Sequence, residues 1–315
     1  MFLEKHSRFF RRYNITFAPR HKGAPYLPLS ADPSEYSIRD ALQECIDAEQ
    51  AMDVQPNGDI IELMAVEHRP RQKALVMLFH RASPNAAEPA YRKKARAQAG
   101  RKVTVRESVK QKDEEQSVSA HLVIHDTQIE RGVFRAALEE IPGISMSAAR
   151  LIAAKALSEY RYDFERNRLT KQTYSVVKAE GLKSETLTNA LKDGQINFIT
   201  LVRPAKPDFI DSEGLFEPIN EVMKIRVTGS LTSRNWRERI LNLAERAKED
   251  GWQDFNIDIG LEDNRKRTVK LDRDQQAKEI LFVRSELVQF GVALPVCSVD
   301  FSDEVIRKAT AIAKE

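Results

Sequence analysis

Two cysteines among 315 residues, Cys45 and Cys297, are too few for a disulfide framework. Neither belongs to a Cys-x-x-Cys pair, so a structural zinc site of the usual kind is excluded. Long apolar runs are missing too. The longest, such as Ala74–Phe79, are strand-sized, far short of the roughly 18–20 residues that cross a bilayer. The opening MFLEKHSRFFRRYN lacks the apolar core and small-residue cleavage site of a secretory signal. Glu4 and the scarcity of Ser and Ala argue against a mitochondrial presequence. There is no Walker P-loop, no GxGxxG, no GxSxG and no HExxH. Internal repeats, heptads and low-complexity tracts are absent as well. These absences predict a soluble, cytoplasmic chain with two buried, reduced thiols, no cofactor and no membrane partner.

What is present is an ordinary globular composition, 42% hydrophobic and 31% charged. Ile38, Leu42, Cys45 and Ile46 recur at helical spacing after the start signal Asp32-Pro33-Ser34. Ile60–His68 and Lys73–His80 read as a hairpin, and Val118–His125 alternates as a further strand. Thr127 to about Tyr160 reads as helical, broken at Ile141–Ser145. Ser233–Lys248 is an amphipathic helix, Phe255–Ile259 and Thr268–Leu271 pair around Asn264, and Asp303–Ala313 closes as a helix. The expected class is α+β. Residues 1–126 form a β-rich part, 127–203 a helical middle and 219–315 a C-terminal α/β part, the last two joined by the Pro-rich stretch 204–218.

Charge is unevenly placed. Between Arg92 and Lys112 lie nine Lys/Arg and one acid, Glu107, for +8; the remainder of a chain of net charge +3 therefore sums to −5. Concentrated charge generally has a partner. Arg92, Lys93, Lys94, Arg96, Arg101, Lys102 and Arg106 are spaced to track a phosphate backbone through counterion release. Only Tyr91 is aromatic nearby, so a stacking platform is not indicated there.

A second pattern is LEEIPGISMSAARLI, residues 138–152. Ile141, Pro142, Gly143, Ile144, Ala149 and Ile152 resemble the helix-hairpin-helix motif of non-specific DNA-binding proteins, with Ser145 replacing the second hairpin glycine. A tight turn at a helix start gathers exposed N–H groups and the positive end of the dipole, where a phosphate can dock without base contacts. The resemblance implies that Gly143, Ser145 and Ser147 face phosphate, with Arg150 and Lys155 supplying cations. The competing reading is a plain helix corner.

Four of the six histidines, His68, His80, His121 and His125, fall at predicted strand ends. His121 and His125 would lie about 13 Å apart at ~3.3 Å per residue, too far for one ion. His80 and His125 could meet only across the sheet, near Asp126. Zinc needs three or four converging ligands, and the sequence does not supply them. A nuclease needs clustered carboxylates. Asp258 followed by Thr268-Val269-Lys270 lacks the second acid, and Glu221-Val222-Met223-Lys224 has one residue too many. Neither catalytic nor metal residues are therefore assigned. The texture resembles that of bacterial accessory-genome proteins, phage-defence components among them. The leading expectation is a non-catalytic protein gripping nucleic acid, duplex DNA above all. The alternatives are an oligomeric scaffold docking an acidic protein, and a nuclease with an unrecognised site.

Overall fold

The computed structural model describes residues 3–32, 35–92, 105–186, 194–204, 220–228, 236–252, 254–261, 266–271, 281–283 and 285–314. Strand outweighs helix, 45% against 21%, so the α+β class with a central helical segment does not hold. The chain divides into two compact units, Met1–Leu182 with Ser285–Glu315, and Lys183–Arg284.

The first unit is built on an antiparallel sheet. Its strands are β1 (Ser7–Pro19), β2 (Met52–Val54), β3 (Ile60–Arg69), β4 (Ala74–Ser83), β7 (Gln116–Glu130), β8 (Val133–Glu139) and β11 (Ser175–Gly181), in the order β11-β1-β8-β7-β4-β3-β2. The short strands β5 (Ala90–Arg92) and β6 (Val105–Glu107) form a separate pair inserted between β4 and β7. β9 (Tyr162–Arg166) and β10 (Leu169–Thr173) make a hairpin around Asn167 and Arg168, both at positive φ.

β1 has a divided edge. Its second half pairs with β11, and its first half pairs with β18 (Ser285–Gln289). The chain leaves this unit after β11 and re-enters at β18, so both crossings lie along one strand.

Both faces of the sheet are covered. Leu75, Met77 and Phe79 of β4 point into a core shared with α1 (Ile38–Asp47) and α2 (Met146–Glu159). Ala74 and Val76 point the other way, onto Val305, Ile306 and Ala309 of α4 (Asp303–Lys314). A strand buried on both sides reads as an unbroken apolar run rather than an alternating one. That explains the main error in the sequence reading. Residues 127–139 were expected to be helical, yet they end β7 and form β8, whose burial is nearly continuous. Periodicity cannot separate such a run from a buried helix. The segment 294–301 is irregular. α1 starts at Ile38 with Ser37 as its N-cap, accepting from the Asp40 amide at 3.2 Å.

The second unit has the strand order β14-β13-β15-β16, from β13 (Gly194–Pro204), β14 (Asn220–Arg226), β15 (Asp254–Leu261) and β16 (Lys266–Leu271). Trp236, Ile240 and Ala247 of α3 (Trp236–Glu249) pack on Ile199, Leu201, Phe255 and Ile257. A two-stranded pair, β12 (Lys183–Thr186) with β17 (Leu281–Val283), belongs to the same unit. β12 lies within the stretch 127–203 expected to be helical, and 187–193 lie outside the described residues.

Candidate nucleic-acid interface

The basic segment lies on an excursion between two neighbouring core strands. β4 ends at Ser83, register partner of Gln116 at the start of β7. Between them, Ala90 pairs with Glu107, Tyr91 with Arg106 and Arg92 with Val105. All six residues are exposed. Arg106 lies 5.7 Å over the ring of Tyr91, its cross-strand partner. Among the described residues neither Arg92 nor Arg106 pairs with a carboxylate. The root is tied down: Lys110 Nζ donates to the Pro84 carbonyl at 3.0 Å, and the Ser108 amide to the Pro89 carbonyl at 2.9 Å. Lys93, Lys94, Arg96, Arg101 and Lys102 lie outside the described residues.

The Pro-Gly corner follows β8, not a helix, so the helix-hairpin-helix resemblance ends at the turn itself. The corner is nonetheless a built helix start. Gly143 sits at φ +84°, and the Ile144 amide donates to the Ile141 carbonyl at 3.1 Å. Ser145 caps α2, its hydroxyl accepting from the Ala148 amide at 3.2 Å. Gly143, Ser145 and Ser147 are all exposed, whereas Ala149 and Ile152 are buried against the sheet. The two proposed cations fare differently. Arg150 is half-buried one turn in. Lys155 lies nine residues beyond Met146, about 14 Å along the axis at 1.5 Å per residue, and donates to the Gln50 carbonyl. It does not belong to the corner.

Arg81 takes that place. From β4, two residues before the excursion begins at Ser83, its Nη1 donates to the Pro142 carbonyl at 3.0 Å and its Nε to Asp59 at 2.8 Å. Asp59, held below the ordinary carboxylate range chiefly by that Arg81 bond, neutralises it. Arg81 is therefore a staple that places the α2 start beside the root of the basic ribbon, rather than a free cation. Nearby acids are likewise spoken for. Glu140 accepts from Arg11 at 2.7 Å, and Glu139 is buried against Arg8 at 3.0 Å.

Two clusters on the opposite face escaped sequence reasoning. Arg8, Glu139 and His121 are each at most 4% exposed. The Ser302 amide donates to His121 Nε2 at 3.2 Å, so the ring's proton sits on Nδ1 and is donated to Glu139 at 2.9 Å. Arg8 Nη2 reaches the Pro295 carbonyl at 3.0 Å. The second cluster joins Cys297 to His80. The sulfur lies 3.8 Å from both ring nitrogens and 3.4 Å from the Ser117 hydroxyl, while His80 Nε2 donates to the Ser298 carbonyl at 2.7 Å. Cys297, expected to be buried, is only half-buried; Cys45 is buried, and burial pushes its thiol pKa up. His80 and His125 do not meet, because His80 pairs with Ser119 and His125 with Ala74 at the far end of the same ladder. Among the described residues no group of three or more metal-binding side chains gathers, and no helix is long and apolar enough to cross a membrane.

No family model, no curated protein and no solved structure matches this chain.

Proposed function

We propose that this protein grips the phosphate backbone of duplex nucleic acid, without catalysis, through the ribbon of β5 and β6 and the N-terminus of α2 beside its root. One observation carries the reading: both strands of the ribbon are wholly exposed, and they bracket the most cationic stretch of the chain. A two-stranded ribbon is narrow enough to lie in or along a major groove. The Lys and Arg of the segment 92–112 would displace condensed counterions. The N–H groups at the α2 start add a neutral anchor for a phosphate. The two free thiols fit a cytoplasmic setting.

The test is charge reversal within the basic segment. Wild-type protein should bind a mixed-sequence 30-base-pair duplex with micromolar or tighter affinity at low salt. The triple variant K93E/K94E/R96E should lose that binding while keeping its circular dichroism spectrum. Retained affinity in the triple variant would remove the ribbon as the site. Binding of an acidic protein in place of DNA would favour the scaffold reading.

A further inference from the structure

The second unit offers a surface of different chemistry. β13 carries a bulge between Ile196 and Phe198. Beyond it, Ile199 and Leu201 enter the core under α3. Alternation then places Phe198, Thr200 and Val202 on the face away from that helix. Their register partners on β14 are Arg226, Lys224 and Val222. Lys224 Nζ lies 4.7 Å from the centroid of the Phe198 ring, and Arg226 Cζ 5.7 Å from it. Lys224 and Arg226 are exposed, Phe198 is half-buried, and Val222 is 65% exposed. Among the described residues neither cation pairs with a carboxylate. Glu221, which is close in sequence, belongs to the other face and is bound to Arg203 at 2.7 Å.

An aromatic ring on a sheet face, with two exposed cations over it from β14 and Asp258 as its register partner on β15, has complementary chemistry in one polymer. A single-stranded nucleic acid brings bases with free π-faces and a phosphate for every base. A base can stack on Phe198 or on the Arg226 guanidinium plane, while Lys224 swings on its long stem to a phosphate. A duplex keeps its bases stacked inside and cannot use the ring. An acidic peptide would use the cations and ignore it. The ribbon of β5 and β6 differs: there cations dominate, and Tyr91 is the one aromatic among its described residues.

We infer that this face of the second unit binds single-stranded nucleic acid, with Phe198 as the stacking platform and Lys224 and Arg226 as phosphate contacts. The inference is independent of the ribbon, which lies in the other unit.

The experiment uses the full chain and fluorescein-labelled oligo(dT) of 20 nucleotides, read by anisotropy at 50 and 150 mM salt. Phe198→Ala should weaken binding about tenfold, within the range for loss of one stacked base. Phe198→Trp should bind at least as well as wild type. The exposed pair K224E/R226E should weaken binding further and flatten its salt dependence. Duplex affinity should be unchanged in all three. The Phe198→Ala loss should persist in the K93E/K94E/R96E background, so failure of the ribbon and failure of this surface are read separately. Two results would overturn the inference. One is oligo(dT) affinity within twofold of wild type in folded Phe198→Ala. The other is polyglutamate displacing oligo(dT) equally well from wild type and Phe198→Ala. If Phe198→Ala does not fold, K224E/R226E decides, and undiminished affinity there is equally fatal.

Discussion

Arg81 binds the backbone of the Pro-Gly corner: its Nη1 lies 3.0 Å from the Pro142 carbonyl, across 61 residues of sequence. The guanidinium is also held by Asp59, which immediately precedes β3. One side chain thus joins the root of the basic ribbon, the start of α2 and the entry to β3.

The corner should tolerate no side chain at Gly143. A Cβ there would lie 2.1 Å from Arg81 Nη1 and 2.5 Å from its Cδ, at a φ of +84°. Left-handed backbone alone costs a non-glycine residue about 1–2 kcal/mol. Gly143→Ala should therefore destabilise the protein by about 2 kcal/mol or more in urea unfolding. Combined with Arg81→Ala the loss should be less than additive, because the two residues share the clash.

Asp59 should make part of the stability pH-dependent. Its carboxyl is held below its ordinary value in the folded state, chiefly by the bond from Arg81. Its contribution is therefore complete above the unfolded-state value, about pH 3.9, and is lost as pH falls through the lower folded-state value. Urea midpoints measured from pH 7 to pH 2.5 should fall in acid for wild type. The gap to Asp59→Asn should narrow over that same range.

Removing Glu139 should be costly. Arg8 and His121 both turn to this carboxylate with almost no exposure to water. Glu139→Ala leaves a buried guanidinium uncompensated, which typically costs about 3–5 kcal/mol. A drop in unfolding free energy below about 1 kcal/mol would show that water reaches Arg8.

The two thiols should react at different rates. Cys45 is buried and its thiol pKa is raised, so less thiolate is present and reagent cannot reach it. Cys297 is half-buried beside His80 and Ser117. Iodoacetamide at pH 8 followed by peptide mass mapping should label Cys297 first, with Cys45 labelled only on unfolding.

The legible parts of the fold were those with local signals. α1 declared itself by the spacing of Ile38, Leu42 and Cys45, all buried in the structure. The hairpin of β3 and β4 and the strand over Val118–His125 showed through their apolar runs, and the ribbon through charge. β8 was misread because Ala136, Ala137 and Leu138 are buried on both faces and carry no period of two. The clusters were not legible at all. Cys297 and His80 are 217 residues apart, and Arg8 and Pro295 are 287 apart, so only the return of the chain along β1 brings them together. Arg81 carried no motif; its role depends on the register that sets Ile60 against Ala82.

The central claim is that a cationic ribbon holds a polyanion through its phosphates. The most direct measurement is the affinity for a mixed-sequence duplex from 50 to 300 mM salt. Neutralising some five phosphates predicts a slope of log K against log salt of about −4.5, at roughly 0.9 per phosphate. A flat line, or no binding at 50 mM salt, would contradict it.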